Sequence, residues 1–195
     1  MEPGTGRLET FSDGVFAIAA TLLVLEFSVS HGRDLGHELL DLWPSYLAYV
    51  TSFLTIGIIW MNHHHTVSLI GRVDRTFLFV NNLLLLTVAF LPFPTGLIGT
   101  YLRGDEQAAA LAYAGTLVVM AALHQVWWQY ARADRRLIAD GISDSALRAV
   151  DRAYLPGLPM YGAVFVLAFF SSLAAVLLTF AIAAFYLPSA ALFDR

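Results

Sequence analysis

The sequence predicts an all-α, polytopic membrane protein with six transmembrane helices in a single domain, 1–195. Three observations carry the prediction. Of the 195 residues, 58% are hydrophobic and only 13% charged, whereas soluble domains hold about 45–50% apolar residues. The apolar residues gather into runs of span length divided by short polar links, and the longest polar stretch, 131–152, leaves no room for a soluble domain. Across 154–192, 39 residues pass without a charge, about twice the ~20 that one crossing needs.

The first helix is expected over 7–29. Its uncharged run, 14–25, has 12 residues and is closed by Asp13 and Glu26; runs of about 10–14 belong more often to helices shielded by other protein than to lipid-facing anchors. Residues 31–41 carry both charge signs and read as a loop or short surface helix. Trp43 and Pro44 open a second span, 43–62, an interfacial Trp and a first-turn Pro both being favourable there. His63, His64 and His65 are expected at its far end.

A polar turn at Arg72, Asp74 and Arg75 leads into a third span, 76–93, ended by Pro92 and Pro94, which lack backbone donors. The chain to Leu102 is expected to finish at the interface, and 103–107 makes a polar link. The fourth span, 108–130, is rich in Ala, which permits close helix packing, and closes on an aromatic belt of Trp127, Trp128 and Tyr130. His124 and Gln125 within it are expected as hydrogen-bonded packing. Residues 131–152 read as a solvated amphipathic connector, and the uncharged remainder as two helices, 152–169 and 172–190, turning near Ser171 and Ser172.

Six spans put both termini on one side. Arg7, Arg72, Arg75, Arg132, Arg135, Arg136, Arg148, Arg152 and Arg195 fall on that side, against Arg33 and Arg103 opposite, so the positive-inside rule predicts a cell-membrane protein with both termini cytoplasmic. Acidic residues and the lack of a small-residue cleavage site near the N-terminus argue against a cleavable signal. Cysteine is absent, which excludes disulfides and thiolate chemistry. No nucleophile motif or phosphate-binding glycine loop points to an enzyme or to a soluble small-molecule substrate. A net charge of -4 without a basic face argues against nucleic acid. Three consecutive histidines point in different directions on a helix, so no metal site or other cofactor is expected.

At about 100° per residue, Phe11, Gly14, Ile18, Thr21, Leu22, Leu25 and Val29 share one stripe of the first helix. Such a stripe packs inside its own subunit or faces symmetry copies around an axis, and the second arrangement makes a pore. Asp13 lies about 140° from Ile18 on the same wheel. It therefore points into its own subunit, towards the second and third helices, where Trp60, His64 and Asn81 offer polar partners.

Arg7, Phe11, Ser12 and Asp13 in RxxxFSDGVFAIAxTLLVLE, Trp60 to His64 in WxxHH, and Asn81 followed by an apolar run and PFPT at 92–95 resemble the prokaryotic homologues of transmembrane protein 175, the endolysosomal potassium channel. The resemblance covers the first three helices; the last three agree in number and length. It implies a homotetramer in the lipid bilayer, with four first helices lining the pore and Ile18 forming its narrowest ring. It also implies that Arg7, Phe11, Ser12 and Asp13 form a polar lock behind the pore with Trp60, His64 and Asn81.

The chain has no TVGYG loop, whose carbonyls replace the potassium hydration shell in the familiar filter. Selectivity would have to come from side chains. Apolar rings of Ile18, Leu22 and Leu25 impose a dehydration cost that is larger for sodium than for potassium, and a Thr21 ring can return part of the lost coordination. The sequence leaves open which of the two dominates. The expected function is passive potassium conduction, potassium being the permeant species. The alternative is a proton channel or proton-coupled carrier that uses Asp13 and the membrane histidines.

Overall fold

The computed structural model describes residues 5–28 and 34–190, with side chains as far as Tyr186. Val29, Arg33 and Arg195, used in the sequence reading, lie outside the described residues. The described chain is almost entirely helical: α1 Gly6–Leu22, α2 Leu35–Asp41, α3 Trp43–Ser68, α4 Arg75–Phe90, α5 Pro92–Tyr101, α6 Gln107–Arg132, α7 Asp144–Tyr154, α8 Gly157–Ala168 and α9 Ser172–Ala190.

Among the described residues, four helical stretches are long and apolar enough to cross a membrane: Gly6–Glu26, Trp43–Ser68, Arg75–Gly104 and Gln107–Arg135. The 26 residues of α3 make a rod of about 39 Å, ample for a hydrocarbon core of about 30 Å. The first stretch is shorter. Its last turn, Leu23–Glu26, winds as a 3-10 helix, which rises about 2 Å per residue and brings the whole to roughly 33 Å. Phe27 then leaves in extended conformation, so the first helix stops short of the expected residue 29.

Local chemistry accounts for the starts. Pro44 sits in the first turn of α3, where its missing N–H has no helical partner to lose. The Asp74 carboxylate caps α4 by accepting from the Phe77 amide at 2.8 Å, and Ser143 caps α7 through Ala146 at 3.2 Å.

Several boundaries differ from the sequence reading. α3 runs on to Ser68, so His63 to His65 lie within its last turns instead of marking its end. Pro92 and Pro94 do not end the third helical stretch but open α5, which follows α4 across a single residue, Leu91. Prolines in a first turn sacrifice no bond, and the Thr95 amide restarts the ladder on the Leu91 carbonyl at 3.2 Å. The helix expected over 152–169 is split: α7 ends at Tyr154 and α8 covers only Gly157–Ala168.

α1 packs on α3 and α4, α3 on α5 and α9, α4 on α6, α6 on α8, and α8 on α9. A large apolar core runs through the bundle, including Phe16, Leu23, Leu84, Val88, Leu117, Met120 and Val164. A second cluster, with Leu8, Phe77, Trp127, Trp128, Ile138, Leu147 and Val150, lies at the end that holds the start of α1. There the α3–α4 link and the chain after α6 pair briefly, Gly71 N–H donating to the Leu137 carbonyl and Ala139 N–H to that of Leu69, both at 2.9 Å. A side chain at Gly71 would meet the Ala139 Cα at 2.8 Å, so the contact requires glycine.

Candidate functional site: the first helix and its polar support

α1 has two faces. Leu8, Ser12, Phe16 and Ala19 are buried, and Leu23 in the 3-10 turn is fully enclosed. The other face is uncovered: Phe11 is 59% exposed, Ile18 60%, Leu22 40% and Leu25 72%, and Gly14 and Thr21 are exposed beside them. The described residues of the predicted stripe thus stand free of their own protomer. The Thr21 hydroxyl donates to the Ile18 carbonyl at 2.9 Å, which leaves its oxygen lone pairs directed away from the helix ladder. A shallow concavity lined by Arg7, Thr10, Phe11, Gly14, Val15 and Ile18 follows one edge of the stripe. A groove lined by Asp13, Phe16, Ala17, Ala20, Phe53, Ile56, Gly57 and Trp60 separates the other edge from α3.

Behind the stripe lie two sets of polar contacts. The inner set is buried: Asn81 on α4 donates its amide to Ser12 Oγ at 3.2 Å, and its Oδ1 lies 2.8 Å from His63 Nε2. With the amide nitrogen on Ser12, the Asn81 oxygen is left as acceptor, so His63 carries its proton on Nε2. The imidazole is held between rings, stacked on Trp127 at 4.6 Å and 6° and tilted against Phe16 at 5.4 Å. Trp127 in turn stacks on Phe77 at 4.9 Å. Ser12, His63 and Asn81 are at most 1% exposed, and each joins a different helix to this junction.

The outer set is half exposed. Trp60 Nε1 donates to Asp13 Oδ1 at 2.8 Å. One turn further along α3, His64 Nδ1 meets Glu9 Oε1 at 3.0 Å, and the Trp60 and His64 rings stack at 6.0 Å. Glu9 and Asp13 are four residues apart, as are Trp60 and His64, so two one-turn ladders face each other across α1 and α3.

The structure therefore brings Ser12, Asp13, Trp60, His64 and Asn81 behind the stripe, but in two groups. Of the partners expected for Asp13, Trp60 meets it, whereas His64 pairs with Glu9 and Asn81 bonds Ser12 and the neighbouring His63. Arg7 and Phe11 are not brought into either group; both are exposed along the concavity. Glu9 and His63 were not singled out as site residues from sequence, although Glu9 lies one turn before Asp13. His124 also departs from expectation. It packs edge-on against Tyr154 at 4.7 Å, and its Nε2 has no hydrogen-bond partner among the described residues.

Comparison with known proteins gives the family. A model of one protein family, Endosomal/lysosomal potassium channel TMEM175, matches residues 7–92, the segment that holds every residue of both polar sets. A potassium channel of Chamaesiphon minutus is 42% identical over 188 residues, 93% of either chain. The Endosomal/lysosomal proton channel TMEM175 of Gallus gallus is 31% identical over 135 residues, 62% of this chain and 27% of that protein. The crystal structure of a lysosomal potassium-selective channel TMEM175 homologue from Chamaesiphon minutus superposes with a TM-score of 0.87 at 40% identity, covering 95% of this chain and 97% of that one. Shared sequence along nearly the whole length, on a shared helical fold, means that this chain belongs to the TMEM175 family.

Proposed function

We propose that the protein is a potassium-conducting channel, passive and without a chemical step or cofactor, formed by four copies around their first helices. One observation carries the reading: the exposed stripe of Ile18, Leu22 and Leu25 on a helix whose other face is packed. The groove between α1 and α3, apolar apart from Asp13 and Trp60, suits a helix of a neighbouring copy. A relative similar over nearly its full length is named a potassium channel, which favours the same permeant ion.

In this reading the chain crosses the bilayer six times, through α1, α3, the α4–α5 pair, α6, α8 and α9. The 12 residues of α8 are extended by uncharged flanks, where Leu155 and Phe170 are 69% and 75% exposed and face lipid. Both termini lie in the cytoplasm. Rings of Ile18, Leu22 and Leu25 form a constriction that removes ion hydration, and the Thr21 ring offers oxygens beside it; no carbonyl filter takes part. Ser12, Asn81 and His63 brace α1 against α3 and α4 and hold the constriction at fixed radius.

A second reading, proton conduction, has its own support. Asp13 and the Glu9–His64 pair lie half exposed in one file, and a vertebrate relative, that of Gallus gallus, is named a proton channel. Purified protein in a planar bilayer separates the two. Potassium conduction gives a reversal potential that follows the potassium gradient at equal pH, whereas a potential that follows only the pH gradient supports the second reading and overturns the first.

A further inference from the structure

Glu26 is placed in a way that the polar support of α1 does not explain. It closes the uncharged run one residue after Leu25, in the last turn of the helix, where the exposed backbone carbonyls already make the potential negative and a carboxylate is disfavoured. It is exposed and has no ion-pair partner among the described residues. The basic groups described at that end are engaged elsewhere: Arg103 lies 3.0 Å from Asp41, and His37 lies 2.8 Å from Asp34.

The carboxylate is nevertheless held in place. Leu23 anchors the turn in the core, and the Phe27 ring after it packs on Tyr46 at 5.3 Å and Tyr49 at 5.5 Å. The Glu26 side chain lies on α5 at Gly96, where a Cβ would fall 2.0 Å from Glu26 Oε2. Only glycine leaves that notch open.

We infer that Glu26, seated on Gly96, sets the negative potential at the pore entrance at the C-terminal end of α1 and so fixes the supply of cations to the constriction. The inference rests on the proposed channel reading. Four copies bring four carboxylates and four helix C-termini to one opening, and fields of one sign at a narrow mouth raise the local concentration of the opposite ion. Screening removes the effect at high salt, because the Debye length falls from about 10 Å at 0.1 M to about 3 Å at 1 M.

The test uses the full chain in planar bilayers with symmetric potassium chloride, and single-channel conductance as readout. Glu26→Gln is expected to lower conductance roughly two- to fivefold near 0.05 M and to converge on wild type near 1 M. The loss should be larger for current entering from the Glu26 side. Glu26→Asp should recover part of it. Gly96→Ala keeps the charge but pushes it off its seat; the atom in the way is the far end of a flexible side chain, so the fold is expected to survive. It should give a smaller loss of the same salt dependence, and none when added to Glu26→Gln. If Glu26→Gln matches wild type at low salt, or its deficit is the same at both salts, the inference is overturned. A wild-type protein that carries no potassium current overturns the channel reading instead.

Discussion

Replacing Asn81 with Ala is the sharpest test of the junction behind α1. The substitution deletes two bonds, to Ser12 at 3.2 Å and to His63 at 2.8 Å, and leaves both partners enclosed. In soluble cores two such orphaned groups would cost about 2–6 kcal/mol. Within membranes the measured worth of a side-chain hydrogen bond is smaller, about 0.6 and at most about 1.7 kcal/mol, because separated helices also find partners. The second scale governs a junction between α1, α3 and α4, so the expected loss is about 1–3 kcal/mol, which for a chain of this size lowers the melting temperature by about 3–10 °C. Thermal unfolding in one detergent, followed by tryptophan fluorescence, measures it. Ser12→Ala and Asn81→Ala should be non-additive, since each removes the same bond. An Asn81→Ala protein that melts with wild type, or losses that add in full, would refute the argument.

Three further outcomes are expected. Ile18→Asn should wet the constriction and raise sodium permeation relative to potassium, read from bi-ionic reversal potentials; an unchanged ratio with unchanged current removes Ile18 from the pore. Thr21→Val should weaken discrimination while assembly, judged by size-exclusion chromatography, is retained, and full selectivity in that variant counts against a threonine ring. Asp74 predicts an acid limb of stability: partial desolvation pushes its carboxyl up, but the Phe77 amide, the Tyr130 hydroxyl and Arg136 together hold it below its ordinary value of 3.8. A depressed folded-state value means that its stabilisation is complete above that pH and is lost as pH falls below it; Asp74→Asn, which keeps the cap, should flatten that part of the melting profile, and an identical acid loss in the variant contradicts the assignment.

Much of this was legible in the sequence, and what was missed has physical causes. Which residues share the stripe followed from the 100° helical period, because Phe11, Ile18, Leu22 and Leu25 repeat at three, four and seven residues; that the stripe faces away from its own protomer did not follow from the period and came only with the family resemblance. The direction of Asp13 towards Trp60 followed from the same wheel. Which histidine meets Asn81 did not: His63 and His64 are about 100° apart on α3, and only the rotation of α3 against α4 decides between them. Pro92 and Pro94 look like a stop because proline breaks helix interiors, yet at the opening of a new helix the same residue is favourable. The break at Leu155 and Pro156 lay inside a chain stretch without charges, where hydropathy carries no punctuation.

The orientation of α1 is the claim on which the rest depends, and the absence of cysteine from the chain makes it directly measurable. A single Ile18→Cys variant, reconstituted and carrying potassium current, should be blocked by a small positively charged thiol reagent added from the aqueous phase, while Leu86→Cys, 64% exposed on α4 in the native chain, should conduct unchanged under the same reagent. Current that persists in Ile18→Cys after labelling of its thiol is confirmed by mass would place that side chain away from the ion path and contradict the account.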